Sequence, residues 1–293
     1  MNYITFDIGG TEIKSGVIND KLEFLEKQSV PTKSDLSASY IVDQCFELIN
    51  FYLEKYEIEG VCISTAGMVD VEKGEIYFSS NLIPNYIGTN FKTLIKNHYN
   101  LKCEVENDVN CAGLAEACIG NGVDHNIVFC TTIGTGIGGS IIMNKEIFHG
   151  SSFSAGEVGY MQVMGEEFQM LGSSRVLVNK VSEMKNIPAK NLNGKKIFEM
   201  AKNGDEDCLI AIDEMCEVIG YGLANICYLL NPGVIVIGGG ITNQEDYLLE
   251  KIDKYLQKYL IPNVYQKTIV KIAKFKNDAG MIGAYLNFKN KVN

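Results

Sequence analysis

One plan occurs twice in this chain and constrains its fold more than any other feature. Tyr3-Ile4-Thr5-Phe6-Asp7 reads as a strand, Gly9-Gly10-Thr11 as a turn, and alternation resumes through Ile13, Ser15 and Val17. Further on, Ile127–Ile133 reads as a strand, Gly134-Thr135-Gly136-Ile137-Gly138-Gly139 as a turn, and Ser140–Met143 as the returning strand. Glycine runs between alternating segments make hairpins because they accept backbone angles that side chains resist. Self-similarity at this level marks a duplicated architecture.

The segments between and after these hairpins alternate in kind. Ser37–Tyr56 carries Ile41, Cys45, Leu48, Ile49, Tyr52, Leu53 and Tyr56 at helical spacing, with Ser37 or Ser34 as the expected N-cap. Gly60–Ser64 and Cys103–Glu106 read as strands, and Phe91–His98 and Val109–Ile119 as helices. Later come helices near Ser173–Met184, Lys195–Lys202, Asp205–Leu230 and Glu245–Tyr259, the strands Val234–Ile237 and Thr268–Ala273, and a closing helix over Ala279–Phe288. Alternating β and α elements predict an α/β protein with mostly parallel or mixed sheets. The Gly120-Asn121-Gly122 loop is the expected boundary. It gives an N-terminal domain over 1–119, completed by the C-terminal helix at 279–293, and a second domain over 120–278.

Length and charge narrow the function classes. A chain of 293 residues, 46% of them hydrophobic, can bury a sizeable core unaided. No run of eighteen apolar residues occurs, and Met1-Asn2-Tyr3 leads straight into a strand with no basic region, so neither a bilayer span nor a signal peptide is expected. The cytoplasm is the expected address. A formal net charge of −10 disfavours tracking along nucleic acid. Arg175 is the only arginine, so any phosphate binding falls to backbone amides and magnesium. The nine cysteines include no Cys-x-x-Cys pair and read as reduced buried residues, and the three histidines lie far apart in sequence, which argues against structural zinc.

Three glycine turns and two polar segments are candidates for chemistry. Gly9-Gly10-Thr11 is either a plain hairpin or a turn whose amides approach a phosphate, with Thr11 adding a hydroxyl. Gly134–Gly139 repeats it, and Gly238-Gly239-Gly240 follows an apolar strand and precedes a helix. Together they favour a nucleotide. The dinucleotide fingerprint is excluded, because Gly9-Gly10 leads into a strand, and no Gly-Lys-Ser/Thr exists. Asp108, between a strand and a helix, is either an N-cap or a base that takes a proton from an attacking hydroxyl. The loop His149–Tyr160 is either surface or, through Glu157 together with Asn107, a place for sugar hydroxyls.

Taken in order, these residues resemble the ROK family of sugar kinases over nearly the whole chain. Asp7–Thr11 resembles the first phosphate motif, Glu106-Asn107-Asp108 the catalytic motif and Gly134–Gly139 the second phosphate motif. Gly156-Glu157-Val158-Gly159 resembles the sugar loop, and Asn231-Pro232 through Gly240 the adenosine motif. The resemblance implies an actin-like, hexokinase-type (ASKHA) fold of two α/β domains around a cleft, and a homodimer. It implies Asp108 as the base and Asn81, Asn107, Asp108, Glu157, Tyr160 and Gln169 at the sugar. It also implies Asp7, Gly9, Gly10, Thr11, Lys14, Gly134, Thr135, Gly136, Gly138, Gly238, Gly239 and Gly240 at ATP, with magnesium carried by the nucleotide. Two departures stand out. Tyr160 occupies the position where the family often has a zinc- and sugar-binding histidine, and Met164–Ser174 lacks the cysteine-rich zinc motif, with Gln169 where a sugar-binding glutamate usually falls. A coherent zinc-free member is expected, with no metal site beyond the magnesium.

The activity so implied is ATP-dependent phosphorylation of the 6-hydroxyl of a hexose or N-acetylhexosamine. Likeness to the zinc-lacking type favours N-acetylmannosamine, as in sialic acid catabolism, over β-glucosides, glucose or fructose. A sugar-sensing regulator is the other class. Such members carry a helix-turn-helix segment before the first phosphate motif, for which Asp7 falls too early. The acidic charge also opposes DNA binding.

Overall fold

A computed structural model describes residues 1–33, 36–79 and 83–292. Packing divides them into two compact units, one of Met1–Ala115, His149–Ala155 and Asn277–Asn293, the other of Glu116–Phe148 and Gly156–Lys276.

The first unit is built on β1 (Asn2–Ile8), β2 (Glu12–Asn19), β3 (Phe24–Pro31), α1 (Ala38–Leu53), β4 (Gly60–Thr65), β5 (Met68–Asp70), β6 (Glu75–Phe78), α2 (Phe91–Tyr99) and β7 (Lys102–Asn107). The helix α3 (Asp108–Ile119) follows, and the last helix of the chain returns to this unit. Its sheet runs β3-β2-β1-β4-β7, with β1–β2 and β2–β3 antiparallel and β1–β4 and β4–β7 parallel. The parallel strand β4 is buried at every position, as expected of a strand covered on both faces. Ile4, Phe6, Ile8 and Ile63 pack with Ile41, Ile49 and Tyr52 of α1 on one face. Tyr3 and Cys62 pack with Cys111, Tyr285 and Phe288 on the other. Truncating a wholly buried isoleucine such as Ile63 to alanine costs about 2–5 kcal/mol.

The second unit contains β8 (Ile127–Ile133), β9 (Ile137–Met143), β10 (Glu146–Ile147), β11 (Gln162–Val163), β12 (Glu166–Glu167), α4 (Phe168–Gly172), α5 (Ser174–Lys185), α6 (Gly194–Lys202), α7 (Glu206–Leu230), β13 (Val234–Gly238), α8 (Glu245–Tyr259), α9 (Pro262–Tyr265) and β14 (Val270–Ile272). The closing helix α10 (Ala279–Val292) completes the chain. The second sheet runs β10-β9-β8-β13-β14, again with two antiparallel pairings followed by two parallel ones. The duplication legible in the hairpins therefore extends through all five strands of each sheet. The long α7 supplies much of this core, where Ile212, Ile219 and Leu223 pack with Phe168, Leu248 and Ile252.

Some local expectations shift. Ser37 stands at the N-cap of α1 but its side chain makes no cap bond and meets Ser39 instead, while Ser34 lies outside the described residues. The returning strand β9 begins at Ile137, because Gly138 and Gly139 pair with Thr132 and Thr131 rather than staying in the turn. Packing divides α3 between Ala115 and Glu116. The buried Glu116 carboxylate accepts the amides of Asn121, Lys274 and Phe275, which binds it to the second unit.

Candidate active site

In the first unit the C-terminal ends of the parallel strands carry a polar row. The register sets Asp7 opposite Lys14 on β2 and Ser64 on β4, and Ser64 opposite Glu106 on β7. Strand ends of this kind are where α/β sheets build binding sites. Ser64 donates its hydroxyl to Asp7 Oδ1 at 2.8 Å, and Lys14 Nζ lies 3.3 Å from Asp7 Oδ2. The Asp7 side chain is 17% exposed. Gly280 makes room for it, because a Cβ there would strike the Asp7 carboxylate and the Ser64 hydroxyl. The turn after β1 is fastened from behind. Thr32 donates its hydroxyl to the Gly9 carbonyl at 2.7 Å and its amide to the Thr11 carbonyl at 3.0 Å, while Gly10 and Thr11 face solvent.

At the end of the same row, β7 passes directly into α3. Asn107 caps the helix: its Oδ1 accepts the amides of Val109 (2.9 Å) and Asn110 (3.1 Å), and its Nδ2 donates to the Gly67 carbonyl (2.9 Å). The capping expected of Asp108 thus falls mainly to Asn107, although Asp108 Oδ1 also accepts the Val109 amide at 2.9 Å. Glu106 is 1% exposed. Its Oε1 accepts the Asn107 amide (2.8 Å) and Asn110 Nδ2 (2.9 Å), and its Oε2 lies 2.7 Å from His149 Nε2. The His149–Ala155 segment is therefore anchored on this unit through His149, while Gly150, Ser151 and Ser152 are exposed. Beneath, Tyr86 and Thr65 share a 2.5 Å hydroxyl contact, and burial pushes the Tyr86 phenol far above its usual range.

In the second unit the turn between β8 and β9 closes on itself, Gly134 N donating to the Gly136 carbonyl at 2.9 Å. The first amide of α5, Ser174 N, reaches the Gly134 carbonyl at 2.9 Å, so the positive end of a twelve-residue helix abuts the turn. After β13, Gly239 adopts φ +93°, and a Cβ there would strike the backbone of Ile133. Thr242 closes that turn onto the Gly239 carbonyl through its amide (3.1 Å) and hydroxyl (2.8 Å).

Glu157, Tyr160 and Gln169 form a cluster in this unit. Glu157 stands at the head of a short 3-10 turn over Val158–Tyr160, and burial raises its carboxyl above the ordinary value. Tyr160, 44% exposed, has its phenol raised by burial and by the charges of Glu157 and Glu167, against a hydrogen bond to Gln169. Gln169 Nε2 donates to Glu167 at 3.1 Å, and its Oε1 would lie 3.0 Å from a Cβ on Gly136. Tyr160 and Gln169, the two departures named in the sequence, thus fall in one cluster with Glu157 and Glu167.

Of the residues singled out in the sequence, the structure joins Asp7 with Lys14, sets Asn107 and Asp108 on the same Val109 amide, and gathers Glu157, Tyr160 and Gln169 in one cluster. Asn81 lies outside the described residues. Ser64 and His149 were missed as partners. Strand register, once assigned, points to Ser64. No local signal links His149 to a carboxylate 43 positions away. Among the described residues no group of three or more His, Cys, Asp or Glu side chains is placed to hold a metal ion, and no helix is long and apolar enough to cross a membrane.

A family model described as "ROK family" matches residues 3–291. A beta-glucoside kinase of Listeria monocytogenes is 32% identical over 305 residues, covering 100% of this chain and 99% of that protein. Among solved structures, a Listeria monocytogenes protein proposed to be an N-acetylmannosamine kinase superposes with a TM-score of 0.90 at 31% identity, covering 100% of both chains. A ROK family glucokinase of Streptomyces griseus, in complex with glucose and AMPPNP, superposes with a TM-score of 0.85 at 28% identity, covering 97% of this chain and 98% of that one. These likenesses make the fold the actin-like, hexokinase-type one that the motifs implied.

Proposed function

The chain belongs to the ROK family, and on that premise we propose that it is an ATP-dependent sugar kinase. It transfers the γ-phosphoryl group to the 6-hydroxyl of an N-acetylhexosamine or hexose. The observation that carries this reading is the Asn107-Asp108 terminus of α3. There a carboxylate begins a helix beside an asparagine whose side chain is held by three hydrogen bonds. Asp108 takes the proton of the attacking hydroxyl, and Asn107 and Glu157 hold neighbouring hydroxyls, with Tyr160 and Gln169 completing the sugar contacts. The amides of Gly9–Thr11 and of Gly134–Gly138 receive phosphate oxygens, Lys14 adds a cation, and Gly238–Gly240 lies against the adenosine. Phosphoryl transfer has a loose transition state, so positioning and charge neutralisation supply most of the acceleration.

Magnesium bound to a nucleotide keeps several waters, and Asp7, beside the first turn and already held by Ser64 and Lys14, would meet it through one of them. When bound, the ion neutralises charge on the β- and γ-phosphates.

N-acetylmannosamine is our choice of acceptor, resting on the likeness to the Listeria structure. A β-glucoside is the second reading, favoured by the 32% identical relative. The test is coupled ADP detection with magnesium ATP against N-acetylmannosamine, N-acetylglucosamine, glucose, fructose and cellobiose. Strong preference for N-acetylmannosamine supports the choice. Preference for cellobiose or glucose selects the other reading, and silence across the panel refutes the kinase.

A further inference from the structure

The His149–Ala155 segment leaves the second unit, packs with the first and goes back. Its amide at Ala155 closes onto the His149 carbonyl at 3.1 Å, and Ser152 accepts the Tyr77 hydroxyl at 2.7 Å. Phe153 packs against the first core with φ +59°, a conformation that bulky residues resist, so packing outweighs the backbone cost. The segment carries a charged contact, the His149 imidazole on the Glu106 carboxylate. Glu106 needs such a partner. At 1% exposure, an Oε2 without a hydrogen bond would be expensive to keep buried. The other oxygen of that carboxylate accepts the amide of Asn107, whose side chain in turn starts α3 at Asp108.

We infer that Glu106 and His149 form a positioning pair for this site. His149 holds Glu106 in the rotamer that receives Asn107 N and Asn110 Nδ2, and so sets where Asn107 and Asp108 present their side chains. The pair also fixes the segment from which the chain enters Gly156-Glu157. Neither residue touches substrate in this account. Their effect passes through Asn107 and Asp108, so it falls on the sugar and on turnover and not on ATP. The inference rests on the kinase reading above.

Two variants test it, with the full chain and the acceptor found in the sugar panel. His149→Ala removes the partner, whereas His149→Gln places an amide nitrogen where Nε2 stood. Expected are a tenfold or greater loss of kcat/KM for the sugar in His149→Ala, an ATP KM within twofold of the parent, and sugar kinetics within threefold of the parent in His149→Gln. Unchanged sugar kinetics in His149→Ala would overturn the inference. Equal losses in both variants would overturn it too, because the ring's packing on Phe153 and not its bond to Glu106 would then matter. If His149→Ala fails to fold, His149→Gln alone decides by the same threefold limit. If the parent phosphorylates no sugar, the kinase reading falls and calorimetric sugar affinity takes over. Weakening in His149→Ala with recovery in His149→Gln supports the pair, and equal or absent binding in all three proteins overturns it.

Discussion

The two units share a sheet order and a hairpin but equip the same positions differently. In the first, the residue before the terminal isoleucine of the leading strand is Asp7, opposite Lys14 and Ser64. In the second, the corresponding residue is Thr132, opposite Gly138 and Gly238. Both hairpins end on a paired isoleucine, Ile8 with Ile13 and Ile133 with Ile137. One frame thus bears a carboxylate, an ammonium and a hydroxyl. The other is stripped almost to backbone. Backbone amides at a glycine turn suit the close approach of phosphate oxygens, whereas side-chain charges suit proton transfer and a magnesium-bearing nucleotide. A duplicated architecture has been divided by side-chain content into a charged half and a bare half.

The largest expected effect tests the charged half. Asp108→Asn should lower turnover by about 10²–10⁴, the usual scale for a general base, in an ADP-release assay with saturating substrates. Next comes the paired comparison: Asp7→Ala should reduce turnover by about 10²-fold, the scale for losing a preorganised electrostatic group. Thr132→Ala should stay within about threefold, because Thr132 lies in the bare row. Equal losses in the two variants would erase the distinction between the units.

Glycine replacements sharpen it further. Gly239→Ala forces a side chain into a left-handed turn and against Ile133, and should cost about 1–2 kcal/mol or more in a denaturant titration. Gly10 has open space where a Cβ would stand, so Gly10→Ala should leave the melting temperature within about 1 °C. Its ATP KM should rise nonetheless. One modest effect depends on pH and belongs to Glu157. Burial raises its folded carboxyl above the ordinary value, so the cost of charging it is absent at low pH and is incurred as pH rises through the folded value. Glu157→Gln should therefore melt about 2 °C higher at neutral pH, and no higher near pH 4, while its sugar KM rises.

Much of this frame was legible in the sequence because it rests on local chemistry. Glycine turns after alternating strands announced both hairpins, and apolar periodicity announced α1, α7 and α8. What escaped depends on contacts distant in sequence. Glu116 belongs with the second unit because its carboxylate gathers amides from Lys274 and Phe275, more than 150 positions on. Asn107, and not Asp108 alone, caps α3 because β7 and α3 abut without a loop. His149 stands in a polar, glycine-punctuated loop that reads as exposed, yet it ends on a buried carboxylate. The nearness of Tyr160 to Gln169 likewise needed the fold, which pairs β11 with β12 just before α4.

The most direct measurement of the central claim is a phosphorus NMR spectrum of the products formed from magnesium ATP and N-acetylmannosamine, with and without Asp108→Asn. The account predicts a new sugar phosphomonoester resonance coupled to the C6 protons, in step with ADP, and no such resonance from the variant. Orthophosphate alone, or an equal phosphomonoester signal from Asp108→Asn, would contradict it.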